Sequence, residues 1–306
     1  MSDQPSPLHL RLPATSANLG PGFDSLGLAL ALYLTIDATL GGPEGVFHID
    51  ATGRDARQCE VMENNLILTT YVDILANLGM LAQPLRVCVQ NEIPLGMGLG
   101  SSAAALLAGV FLANHFGSLG WSGQQILEEA CRREGHPDNV SACFHGGMTV
   151  SAMSKGLVTT ATYSDNINWR LLLALPSESL STHKARALLP EKYSRADAVA
   201  NIQATALLVS AFALKRGDLL HAAMHDRIHQ PYRIQACPLL ARLLPLSGEN
   251  GILGVALSGA GPSVLLIVDA AKPSADVIAT IHEAAGSPVE VIETMIAMGA
   301  FQQPDS

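Results

Sequence analysis

The stretch Pro94-Leu-Gly-Met-Gly-Leu-Gly-Ser-Ser-Ala-Ala-Ala105 constrains this chain more than any other. Before it, residues 85–90 alternate apolar and polar, which predicts a strand. After it, residues 102–116 are Ala- and Leu-rich, hold no proline and stop at Gly117, which predicts a helix. Gly96, Gly98 and Gly100 permit positive φ and let a ligand approach the backbone. Ser101 and Ser102 stand where helix N-caps stand, and the N–H groups behind them have no partner within the helix. Free donors at the positive end of a helix dipole make an anion site, so the stretch points to phosphate cradling. The other reading, glycines placed only for a tight strand-to-helix turn, stays open on these residues alone.

Two familiar phosphate loops do not fit. A Walker A loop needs G-x-x-x-x-G-K-[ST], and no lysine occurs between Pro94 and Lys155. A dinucleotide fingerprint needs G-x-G-x-x-G with an acid about 20 residues on, whereas here the spacing is G-x-G-x-G and no acid lies near Gly120. With 18 Lys+Arg against 27 Asp+Glu the net charge is −9, which argues against nucleic acid or an anionic membrane as partner. An anionic ligand must be held by a local device.

At 306 residues the chain has room for one large domain or two modest ones. Strands are expected at 8–12, 46–51, 85–90 and 148–152, and helices at 66–78, 102–116 and 122–133, the last capped by Ser122. Residues 156–168 are polar and irregular, so the boundary is placed there, with lobes at 1–160 and 161–306. The second lobe reads as strand 169–175, helices 196–216 and 219–228, strands 253–257 and 264–268, helix 274–285 and strand 289–294. That is the β-α-β-β-α-β order of a ferredoxin-like sandwich, and the whole chain reads as α+β.

Hydrophobic residues make up 48% and charged residues 15%, which excludes an intrinsically disordered chain. The apolar runs near 26–34 and 204–214 fall short of the roughly 20 residues that span a bilayer. Residues 1–7 carry no basic or apolar leader pattern, so no signal peptide is expected. Cys59, Cys88, Cys131, Cys143 and Cys237 are odd in number and contain no C-x-x-C pair, which reads as buried thiols of a cytoplasmic protein.

Asn18 and Asp24 sit among Gly20, Pro21 and Gly22, either as Asx caps of a turn or as a clamp in which Asp24 meets an ammonium group. Glu134 and Asp138 flank Gly135-His-Pro; a carboxylate beside a phosphate loop is what hard Mg²⁺ needs, and an acidic helix end is the alternative. Arg186, Arg227 and Arg233 each offer a fork for a carboxylate or a solvated surface charge. His221, His225 and His229 fall at i, i+4 and i+8, but H-E-x-x-H is absent and a surface or cleft-lining face is preferred to zinc. Ser258 lies in Ala-Leu-Ser-Gly-Ala, an imperfect copy of the hydrolase elbow, and reads as a turn whose N–H groups face the site.

The Pro94-x-x-x-Gly-Leu-Gly-Ser-Ser-Ala-Ala104 stretch is similar to the ATP loop of the GHMP small-molecule kinases. The opening Leu12-Pro-Ala-Thr-Ser-Ala-Asn-Leu-Gly-Pro-Gly-Phe-Asp24 and Glu134-Gly-His-Pro-Asp-Asn-Val140 resemble the homoserine kinase branch. Ser181-Thr-x-x-Ala-Arg186, His229-Gln-Pro-Tyr-Arg233 and Ala256-Leu-Ser-Gly-Ala-Gly-Pro-Ser263 follow in family order. The resemblance implies a two-lobed GHMP kinase fold, residues 1–160 as the N-terminal α/β ATP-binding lobe and 161–306 as the ferredoxin-like C-terminal lobe. It implies ATP as co-substrate, held by Pro94, Gly96, Gly98, Leu99, Gly100, Ser101, Ser102 and Ala103, with Mg²⁺ on Ser102 and Glu134. It implies L-homoserine as substrate, held by Asn18, Asp24, Asn139, Arg186 and Arg233, with Asn139, Glu134 and Arg186 serving the chemistry. Asp138 as a catalytic base and a homodimer stay open. So do a mevalonate- or shikimate-type kinase, a non-catalytic sensor on the same scaffold and an acyl-transfer hydrolase.

Overall fold

The computed structural model describes residues 5–163 and 167–302. Residues 1–4, 164–166 and 303–306, which include part of the leader reading and part of the expected boundary, lie outside the described residues. The first half of the chain forms β1 (Leu8–Ala17), β2 (Leu26–Leu40), β3 (His48–Gly53), α1 (Ala56–Cys59), α2 (Leu66–Asn77) and β4 (Leu85–Asn91). Then come α3 (Ser101–Phe116), α4 (Gly123–Glu134), α5 (Asp138–His145), β5 (Met148–Ser154) and β6 (Leu157–Tyr163).

Two expectations needed correction here. The strand expected at 8–12 runs on through Pro13, because a register shift between Pro13 and Ala14 puts the missing N–H at a bulge where it breaks no ladder. The segment 156–168, expected to be irregular, holds β6: Lys155 (φ 52) and Gly156 (φ 82) form a two-residue turn, and the Val/Thr-rich run after it pairs back on β5. The expected partition at residue 160 therefore falls inside a strand of the first sheet.

The second half forms β7 (Trp169–Leu175), α6 (Thr182–Ala187), α7 (Arg195–Ala213), α8 (Leu220–Ala223), α9 (Gln230–Arg233) and α10 (Pro238–Leu243). It ends with β8 (Ile252–Leu257), β9 (Val264–Asp269), α11 (Ser274–Ala285), β10 (Glu290–Thr294) and β11 (Phe301–Gln302). Strands β10-β7-β9-β8 make an antiparallel four-stranded sheet whose order is that of the split βαβ sandwich read from the sequence. The last strand, β11, crosses back to pair with β1 in the first sheet, which has seven strands.

Along β9 the side chains alternate between two cores. Leu265 and Ile267 join Leu208 and Phe212 of α7, while Val264, Leu266 and Val268 join α10 and α11. A strand buried on both faces reads as a continuous apolar run, and each fully buried Leu or Ile contributes about 1.5–3 kcal/mol. The apolar run at 204–214 is the second half of α7, whose 19 residues are long and apolar enough by composition to cross a membrane. Its buried residues are Asn201, Ala204, Leu208, Ala211 and Phe212, set against the second sheet and the loop after β1.

Candidate active site

The two sheets meet at a cleft of about 280 Å³. One end of it is the loop leading into α3. The helix begins at Ser101, and its cap position is Gly100, with no side chain closing the end. This corrects the reading of Ser101 and Ser102 as caps: they are the first two helical residues, and their hydroxyls are not used in capping. The N–H groups of the first turn have no partner within the helix, and Ser101, Ser102 and Ala103 line the cleft. The end of α3 therefore opens on the cleft as an anion site requires.

Glycine is required at two loop positions. Gly98 (φ +74) and Gly100 (φ +70) adopt left-handed backbone. A Cβ on Gly98 would lie 2.4 Å from the Ser258 carbonyl oxygen, and one on Gly100 would lie 1.9 Å from Thr15 Oγ1. Neighbouring segments fix the loop: the Thr15 N–H donates to the Leu99 carbonyl (3.0 Å) and Ser258 Oγ donates to the Gly98 carbonyl (2.8 Å).

The turn around Ser258 is structural. Its hydroxyl is buried and engaged, so the hydrolase reading falls. Three of its N–H groups are engaged within the fold rather than turned to the cleft, while Ala260 lines the cleft. Ser258, Gly259 and Gly261 donate to Ser263, Ala17 and Ser258 carbonyls. It is the Gly259 carbonyl that points inward, accepting from Asn18 Nδ2 (2.9 Å) and Arg233 Nη1 (3.3 Å).

The other end of the cleft is made of side chains. Asn18 (φ 70), Leu19 (φ 50) and Asp24 (φ 54) hold left-handed backbone after β1, a strain that persists only where surroundings enforce it. Asn18 is that support: besides its bond to Gly259, its Oδ1 accepts the Asp24 N–H (3.0 Å). Asp24 accepts both Arg186 Nη groups, at 3.1 and 2.6 Å. The two groups expected to hold opposite ends of a substrate hold each other. The Asp24 hydrogen bond raises the Arg186 pKa further.

Arg233 is 1% exposed. Its hydrogen bonds go to the carbonyls of Ala185 (3.2 Å) and Gly259 and to His229 Nδ1 (3.1 Å), none of them an anion. Burial, with Arg186 nearby, pulls its pKa down. A buried guanidinium without a carboxylate among its partners, lining a cleft, has the chemistry to receive an anion.

Between the two ends lie Glu134, His136, Asp138 and Asn139, at the junction of α4 and α5. The Glu134 carboxylate has no hydrogen bond or ion pair among the described residues, and burial pushes its pKa up. An unpaired, half-buried carboxylate and the Ser102 hydroxyl lining the same cleft are hard-oxygen donors of the kind Mg²⁺ takes. Asp138 is 2% exposed; its Oδ1 accepts from His136 Nδ1 (2.5 Å) and from the Asn139 N–H (2.7 Å). Burial works against charge on His136, but Asp138 outweighs it and raises the pKa. Asn139 Oδ1 accepts from Thr15 Oγ1 (2.7 Å).

The cleft thus gathers Asn18, Asp24, Glu134, Asn139, Arg186 and Arg233 with the whole loop from Gly96 to Ala103 except Met97. Pro94 is not among them; it lies with Leu95 and Met97 in an adjoining groove, where Arg54 and Glu290 form an ion pair across the two sheets. Arg227 is exposed and outside the cleft. The three histidines do not share a face, because α8 stops at Ala223: the Asp226 carboxylate takes the N–H groups of Ile228, His229 and Gln230 and redirects the chain. His221 and His225 stay exposed with rings 5.5 Å apart, while His229 is buried against Arg233. Cys131, Cys143 and Cys237 are buried as expected, but Cys88 is exposed.

Sequence reading missed Thr15, Phe23 and a second slot. Thr15 stood in the quoted opening segment without a role. The slot, about 120 Å³, shares Ser101 with the loop and is otherwise walled largely by apolar side chains such as Leu34, Leu66, Ile67 and Ala105. No local signal announces it, since its walls come from β2, β4, α2 and α3.

Comparison with known proteins adds a third line of observation. Residues 65–147 match the GHMP kinases N terminal domain, and residues 208–285 match the GHMP kinases C terminal family. The homoserine kinase of Solibacter usitatus is 44% identical over 308 aligned residues, covering 99% of this chain and 99% of that protein. That of Deinococcus radiodurans is 39% identical, covering 92% of this chain and 91% of the relative. The crystal structure of homoserine kinase from Cytophaga hutchinsonii superposes with a TM-score of 0.81 over 99% of both chains at 24% identity.

Proposed function

Because the chain belongs to the homoserine kinases, a branch of the GHMP kinases, we propose that it transfers the γ-phosphoryl group of ATP to the side-chain hydroxyl of L-homoserine, yielding O-phospho-L-homoserine for threonine synthesis. One observation carries the reading. A single cleft has an open helix N-terminus at one end and, at the other, a buried arginine without an anionic partner. A nucleotide phosphate fits the first, and an amino-acid carboxylate fits the second.

Phosphoryl transfer asks mainly for positioning and charge neutralisation. In this reading the loop from Gly96 to Ala103 cradles the phosphates, and the apolar slot beside Ser101 takes the adenine. Ser102 and Glu134 are the proposed ligands of Mg²⁺, which when bound offsets charge on the phosphate oxygens. Asp24 meets the substrate ammonium, and Arg186 and Arg233 meet its carboxylate. Thr15 fixes the Asn139 amide by binding its oxygen; one N–H of the NH₂ group reaches Asp138 Oδ1 at 3.4 Å, which leaves the other to the substrate hydroxyl and the transferred group. Asn18 shapes the site by holding the strained loop rather than by touching substrate. Asp138 orients His136 and Asn139.

The test is ADP release measured with L-homoserine, serine, threonine, mevalonate and shikimate as acceptors. L-homoserine should give the highest kcat/KM. Preference for mevalonate or shikimate would move the chain to another GHMP activity. Absence of ADP release with every acceptor would favour the sensor reading.

A further inference from the structure

We propose that His229 is a positioning residue that aims Arg233 at the substrate carboxylate by acting as a neutral hydrogen-bond acceptor, a role that rests on the homoserine kinase reading of the cleft. His229 is wholly buried. Its Nε2 lies 2.8 Å from the Gly20 carbonyl, which only accepts, so Nε2 carries the hydrogen. Its Nδ1 lies 3.1 Å from Arg233 Nη1, which only donates, so Nδ1 carries the lone pair. One protonation state of the ring satisfies both neighbours: the neutral Nε2–H tautomer. An imidazolium would set N–H against N–H and place a second cation beside Arg233.

The surroundings hold this arrangement. The Phe23 ring stacks on the imidazole at 5.4 Å, and the Asp226 carboxylate anchors the His229 backbone N–H at 2.9 Å. Burial and Arg233 favour the neutral ring, while Asp226, with Oδ2 3.6 Å from Nε2, and the more distant Asp24 favour charge. Of the three hydrogen bonds made by Arg233, that to His229 is the shortest, and the other two run to backbone carbonyls at 3.2 and 3.3 Å. Among the described residues His229 is thus the one side chain that hydrogen-bonds the guanidinium, while the Phe23 ring lies against it with its centroid 5.5 Å from Cζ.

Two substitutions separate this role from mere space filling. In His229→Asn the amide oxygen takes the place of Nδ1 and keeps an acceptor for Arg233. In His229→Gln the amide reaches the place of Nε2, keeping the Gly20 contact but leaving Arg233 without its acceptor. His229→Gln should raise the homoserine KM about tenfold or more, as expected for a lost hydrogen bond to a charged group, with the ATP KM within about twofold. The loss should fall on KM more than on kcat, and His229→Asn should recover most of it. Equal effects of the two variants, or equal effects on both substrates, would overturn the proposal. A readout on the unmodified protein stands apart from variant folding and from activity. In a side-chain ¹⁵N spectrum at neutral pH with the His229 ring assigned through its own backbone, that ring should be the neutral Nε2–H tautomer, and an imidazolium or Nδ1–H form would overturn the proposal. Failure to phosphorylate homoserine would instead sink the functional reading and leave the tautomer to be judged on the spectrum.

Discussion

At the proposed phosphate end of the cleft the groups lining it are backbone N–H groups contiguous in sequence, whereas at the proposed amino-acid end they are side chains from distant segments. The Asp24–Arg186 pair alone spans 162 residues of chain. The first end is one short loop and a helix start, held in place by Thr15 and by Ser258 of the β8–β9 turn. The second exists only after both sheets have docked. The contrast predicts that damage to the loop should strike nucleotide handling and folding together, while damage to the far end should strike the amino acid alone.

The largest effect is expected at the seam between the two ends. Gly100→Ala places a methyl group 1.9 Å from Thr15 Oγ1 in a left-handed conformation. Strain and overlap together should cost about 2–5 kcal/mol. Melting temperature and kcat/KM for both substrates should fall together; loss confined to homoserine would break the comparison.

Next comes Glu134→Gln, which keeps size and removes charge. Turnover should fall about 100-fold or more, near 3 kcal/mol, if the carboxylate serves the phosphate end through a metal. Stability should move the other way. A carboxyl group whose pKa is raised by folding holds its proton more tightly in the native state, so it detracts from stability once pH exceeds the ordinary glutamate value. The neutral amide escapes this, and the ligand-free melting temperature at pH 7.5 should rise by about 1–2 °C. A fall in both turnover and melting temperature would make Glu134 a structural residue.

Asp24→Asn probes the far end alone. It should raise the homoserine KM about 10- to 100-fold, the low end for a lost ionic partner because Asp24 and Arg186 are each about one-third exposed. The ATP KM should stay within about twofold, and equal shifts in both would erase the distinction between the ends. The smallest effect is expected for Thr15→Val, which keeps shape and removes the hydroxyl that binds Asn139. A loss near 1 kcal/mol lowers kcat by up to about tenfold, read as steady-state kcat with both KM values little changed.

The same contrast explains what the sequence disclosed. The glycine loop and α3 were legible because strand, loop and helix carry their own local signals, and the ferredoxin-like order was legible because β7, β8 and β9 are strongly apolar and helix α11 separates them from the short β10. The break after Ala223 was not legible from periodicity, since it depends on one carboxylate, Asp226, capturing three backbone N–H groups. β6 was hidden by its polar threonines, which a hairpin partner satisfies. Asp24, Arg186 and Arg233 were found through resemblance. Spacing alone could not show that the first two bind each other, or that Arg233 leans on His229.

The mutual engagement of Asp24 and Arg186 has a consequence for selection among acceptors. The free enzyme presents a pair that is already neutral. A zwitterion can displace it by exchange: its ammonium inherits Asp24, its carboxylate inherits the guanidinium, and no charge is stranded along the way. An acid lacking an amino group leaves the pair closed and meets Arg233 alone, or draws Arg186 away and leaves Asp24 without a counter-ion, a penalty of about 1–3 kcal/mol for a half-satisfied pair. Discrimination against mevalonate-like acids is then present in the proposed site before any question of shape arises.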